Sequence, residues 1–266
     1  MKRLAFFLFL ILFFIAPASV IEATTECADS VVAEHLPYGF PRRENILCRT
    51  GYVVSYNDSR DVPNWVCYHL TAAYLTAGVG RTDDFRPDPD VLGGDDRAEL
   101  SDYRGSGFDR GHLAPAADMA RSGITMSESF LFTNVAPQSP GFNRGIWKRL
   151  ETEVRGWAVE RGDINVCAGP VYLDDDGDGV VEFNVIGRGQ VAVPDAFFKI
   201  VVAREDSGLD VIAFILRNTS YPPSAKLASF IVSVDEIEAL TGLDFLNRVH
   251  DDVEVKIESE RADGLW

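Results

Sequence analysis

Basic residues are scarce in this 266-residue sequence. It contains 25 Lys and Arg against 41 Asp and Glu, which gives a formal net charge of -16 at pH 7. A surface of this charge repels polyanions, so the composition argues against a protein that coats nucleic acid through general basic charge. If the protein handles nucleic acid, it must do so through a local patch of arginines, a metal ion, or both.

Glycine and proline are also few, with 22 and 13 residues, and the sequence has no internal repeat and no low-complexity tract. This composition excludes collagen-like and disordered chains. Hydrophobic residues make up 46% of the sequence, and a chain of this length buries a substantial core without disulfides. We therefore expect residues 24–266 to fold as a single domain.

Only four cysteines are present, and no two of them have the C-x-x-C spacing of a typical zinc site. Cys27 and Cys48 flank a polar segment that has little core of its own, and we predict a disulfide between them. Cys67 and Cys167 lie in apolar, strand-like runs, where a buried free thiol is the usual explanation. A second disulfide would form if those two strands are neighbours.

The first residues have the features of an export signal. A basic start is followed by an apolar run over residues 4–15 and by the small residues Ala16-Pro17-Ala18. This pattern predicts a cleaved signal peptide over residues 1–23, and hence a secreted or periplasmic protein with no membrane attachment after cleavage. The alternative is an uncleaved anchor, which Pro17 and Ser19 disfavour.

The remaining pattern predicts an α+β domain with a mostly antiparallel central sheet and flanking helices. Apolar residues at helical spacing predict a helix over residues 143–161, and a capping box at Ser233 predicts a second helix that ends at Gly242. Runs rich in Val, Ile and Phe predict the strands, which cover residues 51–56, 65–71, 130–135, 164–171, 191–203 and 210–216. Residues 81–109 form a long loop, and loops of that length in a compact domain are commonly functional.

A histidine motif closes this loop. Asp109-Arg110-Gly111-His112 places a cation and an imidazole two residues apart. Hydrolysis of a phosphodiester bond needs a base that deprotonates water, and a neutral imidazole titrates near working pH, so His112 is the predicted general base. Arg110 suits bidentate contact with a phosphate, and Asp109 is predicted to orient neighbouring groups of the site.

The predicted helix begins with an oxygen ligand. Asn143 offers its amide oxygen to a hard cation such as Mg²⁺, which keeps several waters, so that one protein ligand can hold it; Mn²⁺ or another divalent cation is also compatible. Glu151 lies eight residues further on, about 12 Å along the axis, and is predicted to contact the cation only through water. Alternatively, Glu151 is a surface carboxylate paired with Arg155 at i+4. Arg155 is also a candidate for a second phosphate contact.

Together these elements resemble the DNA/RNA non-specific endonucleases, which have a ββα-metal (His-Me finger) active site. The resemblance runs from about Val53 to Phe245. Besides the histidine motif, it is carried by Asp102-Tyr103-Arg104-Gly105-Ser106-Gly107-Phe108, Asn134-Val135-Ala136-Pro137-Gln138, Asn143-Arg144-Gly145-Ile146-Trp147-Lys148-Arg149-Leu150-Glu151, Cys167-Ala168-Gly169-Pro170-Val171-Tyr172 and Val193-Pro194-Asp195.

This resemblance implies an exported, metal-dependent endonuclease that cleaves DNA and RNA without sequence preference and binds them through the phosphate backbone. It also implies the water-mediated role of Glu151 and an arginine well before the histidine motif, for which Arg81 fits best and Arg86 is the alternative. A binding module that keeps the fold without turnover is the competing hypothesis. A dedicated inhibitor protein is compatible with the family, but no residue identifies one.

One further motif competes for a cation. Residues 174–179 match the start of a calcium loop, with oxygen ligands at alternate positions and Gly179 at the sixth. The twelfth position is Val185, where a bidentate glutamate is expected. We therefore expect an acidic turn between strands rather than a structural cation site.

Overall fold

A computed structural model describes residues 27–91, 97–206 and 208–266 of the chain. The predicted signal peptide, residues 1–23, lies outside the described residues. Within the described ranges, no helix combines the length and apolar character needed to cross a bilayer.

Helices and strands alternate irregularly along the chain. In order they are α1 (Asp29–His35), β1 (Ile46–Cys48), β2 (Val53–Asn57), β3 (Val62–Thr71), α2 (Ala72–Thr76), α3 (Leu100–Tyr103), β4 (Asp109–His112), α4 (Gly123–Glu128), β5 (Val135–Gln138), α5 (Lys148–Arg161), β6 (Asp163–Val171), β7 (Val185–Ile186), β8 (Val191–Ala192), β9 (Ala196–Glu205), β10 (Gly208–Arg217), β11 (Ile231–Val232), α6 (Val234–Thr241) and α7 (Asp251–Ser259).

A seven-stranded sheet forms the centre of the protein, with strand order β1-β2-β3-β6-β9-β10-β11 and every neighbouring pair antiparallel. A hydrophobic core covers each face of this sheet. Strand β9 contributes to both cores, because successive side chains of a strand point to opposite faces. Phe197 and Val201 belong to the core on the α5 face, whereas Phe198 and Val202 belong to the core on the α6 face. The predicted α+β class with a mostly antiparallel sheet is confirmed.

A smaller ribbon carries the histidine motif. Strand β4 pairs with β5 so that His112 lies opposite Val135 and Asp109 lies opposite Gln138. A Cβ atom on Gly111 would lie 2.1 Å from Cδ of Gln138, so the glycine leaves room for the Gln138 side chain to pack against the ribbon. The helix follows directly after β5, which completes a ββα unit.

The helix predicted over residues 143–161 is confirmed, but its first turns are not regular. A π-type turn covers Phe142–Trp147, with a break at Gly145 (φ -102°, ψ -108°), and α5 continues from there to Arg161. Single π-type turns often occur at functional sites because they change the direction of side chains relative to the following helix. Leu150 and Trp157 bury the apolar face of α5 against the sheet.

Both pairs of cysteines form disulfides. The predicted bond between Cys27 and Cys48 is confirmed. Cys67 and Cys167 lie directly opposite each other on β3 and β6 and are also bonded, so the free-thiol alternative is wrong at this pair. Their pairing depends on which strands are neighbours, and a sequence alone does not show that.

Two predicted strands are wrong in part. Residues 132–134 form a 3-10 turn, and the strand predicted over 130–135 begins only at Val135. The run over 191–203 is split into β8 and β9 around Pro194, which has no N–H for a sheet hydrogen bond. The helix that starts at the Ser233 capping box and ends at Gly242 in the left-handed region is confirmed.

Candidate active site

A polar cleft lies between the long segment before β4 and the π-type turn. Its volume is about 500 Å³. Four arginines line it, together with two residues that the sequence analysis predicted for the site. They are Arg81, Arg104, Arg110, Arg144, Asp109 and Asn143. The fold therefore concentrates positive charge at one place on a chain whose formal net charge is -16.

Asp109 connects the ribbon to the helix. Its carboxylate accepts a hydrogen bond from Nδ2 of Asn143 at 3.0 Å and two from Arg144, at 2.8 Å and 2.6 Å. Partial burial opposes ionisation of Asp109, but the hydrogen bonds from Arg144 and Asn143 outweigh it and lower the pKa of this carboxyl. Asp109 thus holds Asn143 in place as an ionised acceptor.

This contact determines which way the Asn143 amide points. Because an ionised carboxylate only accepts hydrogen bonds, the nitrogen of the amide must face Asp109. The amide oxygen then points away from Asp109, and among the described residues no donor is recorded for it. An amide oxygen in a polar cleft is a ligand that hard divalent cations accept, so the residues present fit the cation that the sequence implies.

His112 lies behind the cleft, packed against aromatic rings. Its ring centroid is 5.2 Å from that of Phe85, which lines the cleft, and 5.0 Å from that of Phe130. Only 9% of its surface is exposed, and Nε2 has no hydrogen-bond partner among the described residues. Burial, reinforced by the charge of Arg81, lowers the pKa of His112 to about 3, so the ring is neutral at ordinary pH.

The two predicted phosphate-binding arginines surround this histidine. The guanidinium of Arg110 stacks 4.2 Å above the ring of Phe85, and that of Arg81 lies 4.8 Å from the ring of Phe130. Stacking restrains each guanidinium and leaves the N–H donors of Arg110 available. Arg81 also donates from Nε to the Asp83 carboxylate at 2.7 Å. Arg86, the alternative to Arg81, donates instead to the Ser127 carbonyl at 3.0 Å and does not appear among the described residues that line the cleft.

Asn134 fixes the chain immediately after His112. Its side chain accepts a hydrogen bond from the Ala114 amide and donates to the carbonyls of Ala114 and Ser129, each at 2.9 Å. All three bonds are buried. Asn134 is therefore a positioning residue for the histidine strand.

Glu151 belongs to a charge network beneath the cleft. Buried Asp118 accepts hydrogen bonds from Arg155 at 2.9 Å and from Tyr68 at 2.8 Å. Glu151 is half-buried beside this pair. Burial raises the pKa of Glu151, and the positive charge of Lys199 opposes that rise.

The structure thus separates two predicted residues from the others. Glu151 and Arg155 are not among the described residues that line the 500 Å³ cleft. The i+4 pairing of Arg155 with Glu151 is replaced by the ion pair between Arg155 and Asp118, which occupies the guanidinium that the sequence offered for a phosphate. Arg155 therefore affects Asp118 and Glu151 through its positive charge, which opposes the rise that burial causes in the pKa of both carboxyls.

Lys199 is the site residue that sequence reasoning missed. It is fully buried, its Nζ lies 4.6 Å from the centroid of the Trp147 ring, and Nζ has no hydrogen-bond partner among the described residues. Together with Asp118, Arg155 and Glu151 it makes a group of two positive and two negative side chains. The available signal was a lysine inside the apolar strand Phe197–Val202, because a charge in such a run is almost always paired.

Comparisons with known proteins point to one group of enzymes. The family model for DNA/RNA non-specific endonuclease matches residues 32–252. Nuclease C1 of Cunninghamella echinulata var. echinulata is 38% identical over 223 residues, which are 80% of this chain and 88% of that protein. Mitochondrial endonuclease G of Homo sapiens is 36% identical over 217 residues, which are 80% of this chain and 73% of that protein.

A solved structure agrees with these sequence matches. The crystal structure of the EndoG/EndoGI complex superposes with a TM-score of 0.78 at 33% sequence identity. The match covers 85% of this chain and 95% of that chain. Every residue of the cleft lies within the segment matched by the family model.

The buried His112 predicts a specific acid sensitivity. Its pKa is about 3 in the folded protein against an ordinary value of 6.5, so between these pH values only the unfolded chain binds the proton. Stability is therefore fully present above pH 6.5 and falls as the pH is lowered, by up to about 1.4 kcal/mol per pH unit from this residue. Urea unfolding between about pH 4.5 and 7.5 should show a shallower pH dependence for His112→Gln than for the natural chain.

His250 supplies the matched control, because 79% of its side chain is exposed. His250→Gln should reproduce the pH dependence of the natural chain. If His112→Gln did so as well, the ring would not be held neutral by burial.

Lys199 predicts a coupling with Glu151. Lys199→Met leaves the buried network with excess negative charge, and should lower the free energy of unfolding by about 3 kcal/mol. The double variant Lys199→Met/Glu151→Gln removes one charge of each sign and should regain part of that loss. Chemical denaturation of the four proteins measures the coupling energy; strictly additive changes would show that Lys199 does not neutralise Glu151.

Proposed function

We propose that this chain, which belongs to the DNA/RNA non-specific endonuclease family, hydrolyses the phosphodiester bonds of DNA and RNA without sequence preference. In this proposal His112 is the general base, and a single divalent cation, Mg²⁺, binds at Asn143. The family assignment makes it a nuclease with nucleic acid as its substrate. The proposal concerns the roles of the individual residues, the cation and the place of action.

One observation supports this assignment most strongly: the cleft joins a cluster of arginines to a free amide oxygen. Arg81, Arg104 and Arg110 line the cleft together with Asn143, and Arg81 is paired with Asp83 of the same cleft. A polyanion that the acidic surface as a whole repels is attracted to this arginine-lined cleft. Contacts to phosphates rather than to base edges would give binding without sequence preference.

His112 is proposed to take the proton of the attacking water. The ring is neutral, so it can accept a proton, but a pKa of about 3 makes it a weak base. Burial and the positive charges of Arg81 and Arg110 all lower that pKa. When the phosphate binds between the two arginines, its negative charge offsets theirs and raises the basicity of the imidazole where it is needed.

Asn143 would hold the cation directly and Glu151 would hold it through water, while Asp109 keeps the amide oriented. When bound, such a cation supplies positive charge close to the leaving oxygen. Arg81 and Arg110 neutralise the phosphate oxygens as negative charge develops on them. The positive charges of Lys199 and Arg155 oppose the rise in the pKa of Glu151 that burial causes. Mn²⁺ or another divalent cation is compatible with the same oxygen ligand.

We further propose that residues 1–23 are a signal peptide and that residues 24–266 act as one exported domain, secreted or periplasmic. Two disulfides support this, because disulfides persist in oxidising compartments.

Cleavage assays test the mechanism. Supercoiled plasmid DNA and RNA incubated with the natural chain and MgCl₂ should both be degraded, and EDTA should stop both reactions. His112→Ala should slow cleavage by about 100-fold or more. Asn143→Ala should slow it with a higher requirement for Mg²⁺.

The exposed His250 again gives the control, since His250→Ala should retain full activity. Cleavage that survives EDTA or the loss of the His112 imidazole would contradict the mechanism. Binding of nucleic acid without cleavage by the natural chain would support the inactive binding module instead.

Salt dependence tests the arginine cleft. Duplex DNA binding, measured by fluorescence anisotropy in a His112→Ala background, should weaken linearly with log[salt]. Adding Arg104→Ala should reduce the slope by about one unit, because one phosphate contact is lost. Arg204→Ala removes an exposed arginine outside the cleft, and it should leave the slope unchanged. Equal slopes for both variants would place the nucleic acid elsewhere.

A further inference from the structure

A second acidic cluster lies on helices α6 and α7, on the face of the sheet opposite α5. Carboxylate oxygens of Asp235, Glu238 and Glu258 all lie within 4.8 Å of one another. Asp235 and Glu238 are three residues apart on α6 and so share one face of that helix. Val234 and Ile237 of α6 belong to the core on that side, whereas Phe142 and Leu150 belong to the core on the cleft side.

Glu258 distinguishes this cluster from an ordinary solvated acidic surface. Only 6% of its surface is exposed, yet its Oε1 atom is buried with no hydrogen-bond partner among the described residues. A buried carboxylate oxygen is normally satisfied by a donor or a cation. Here the neighbouring groups are two further carboxylates, which are themselves hydrogen-bond acceptors.

The charges around Glu258 also disfavour an ionised carboxylate at this position. After burial, the groups that raise the pKa of Glu258 to about 8 are Glu238, Glu254, Asp235 and Asp244, all of them acidic. The arginine of this region is engaged elsewhere, because Arg261 donates to both carboxylate oxygens of Glu236.

We infer that Asp235, Glu238 and Glu258 bind a calcium ion that links α6 to α7. Oxygen-only ligands favour a hard cation over zinc or copper, which prefer imidazole or thiolate. Three oxygens no more than 4.8 Å apart can lie within about 2.8 Å of a common centre, which allows the roughly 2.3–2.6 Å bonds of calcium. Calcium also accepts flexible geometry, as expected for carboxylates brought together from two helices, whereas magnesium demands a near-ideal octahedron. Backbone carbonyls and waters complete the coordination.

The exposed Asp174, Asp176 and Asp178 differ from Glu258, because none of them has a buried oxygen without a hydrogen-bond partner among the described residues. Their carboxylates also approach one another within 4.8 Å, but Asp174 accepts hydrogen bonds from the Gly177 and Gly179 amides. All three side chains are exposed. That loop therefore serves as a matched control rather than as a second candidate.

Calcium binding should stabilise the folded chain, because the unfolded chain has no preformed site. After removal of metals with EDTA and dialysis, millimolar CaCl₂ should raise the melting temperature of the full chain by about 3 °C or more. In Asn143→Ala, which lacks the ligand proposed for a cation in the cleft, MgCl₂ at the same concentration should raise it less, and calorimetric titration with CaCl₂ should give one site.

Variants locate the ion. Glu258→Gln should abolish the calcium-induced shift, and Asp235→Asn, at an exposed position where misfolding is not expected, should weaken it. Asp174→Asn/Asp176→Asn and Asn143→Ala should both keep the full shift, which separates this site from the acidic loop and from the nuclease cleft.

Three outcomes would overturn the inference. They are the absence of a calcium shift in the natural chain, a shift that persists in both Glu258→Gln and Asp235→Asn, and an equal or larger shift with magnesium in the Asn143→Ala variant. Because the readout is stability and the site is remote from the cleft, none of these results depends on whether the chain cleaves nucleic acid as proposed.

Discussion

The hydrogen bond between Asp109 and Asn143 is the contact on which the candidate site depends. It joins the second layer of the protein, the β4–β5 ribbon, to the first turn of the helix that packs on the main sheet. Without it the amide of Asn143 could rotate, and its oxygen would have no fixed direction relative to His112 and Arg110. The break at Gly145 serves the same contact, because it lets Asn143 point to the ribbon while α5 keeps its apolar face on the sheet.

Electrostatics explains how an acidic protein keeps a site for a polyanion. Along the cleft, positive side chains are held by stacking or by single carboxylates, and the cleft retains a local excess of guanidinium groups. Beneath it, opposite charges balance around Glu151, and Lys199 enters that balance from the sheet. On the far side of the sheet, carboxylates accumulate around Glu258 without such compensation. The net charge of the chain thus conceals three different local environments.

Much of this could be anticipated from the sequence, and the exceptions have physical reasons. The run rich in Val, Ile and Phe in β10, the helical spacing of Leu150 and Val154, and the capping box at Ser233 are local signals, and each gave a confirmed element. The similar run over 191–203 was confirmed only in part, because Pro194 divides it. The burial of His112 and the pairing of Arg155 with Asp118 depend on contacts between residues far apart in the chain, which no local pattern encodes. Lys199 could be noticed in the sequence as a lysine within an apolar strand. Its partner could be identified only once the packing of α5 against β9 was known.

The bond between Cys67 and Cys167 has a topological consequence. It spans 100 residues of sequence, and the enclosed segment contains Arg81, Asp109, His112, Asn143 and Glu151. Every group proposed for the chemistry therefore belongs to one covalent ring closed at the centre of the sheet. A protease that cut this ring once would leave a single covalently connected molecule, its two new ends still attached to the same pair of central strands. In surroundings that contain proteases, such a ring would delay the separation of the working parts of the enzyme.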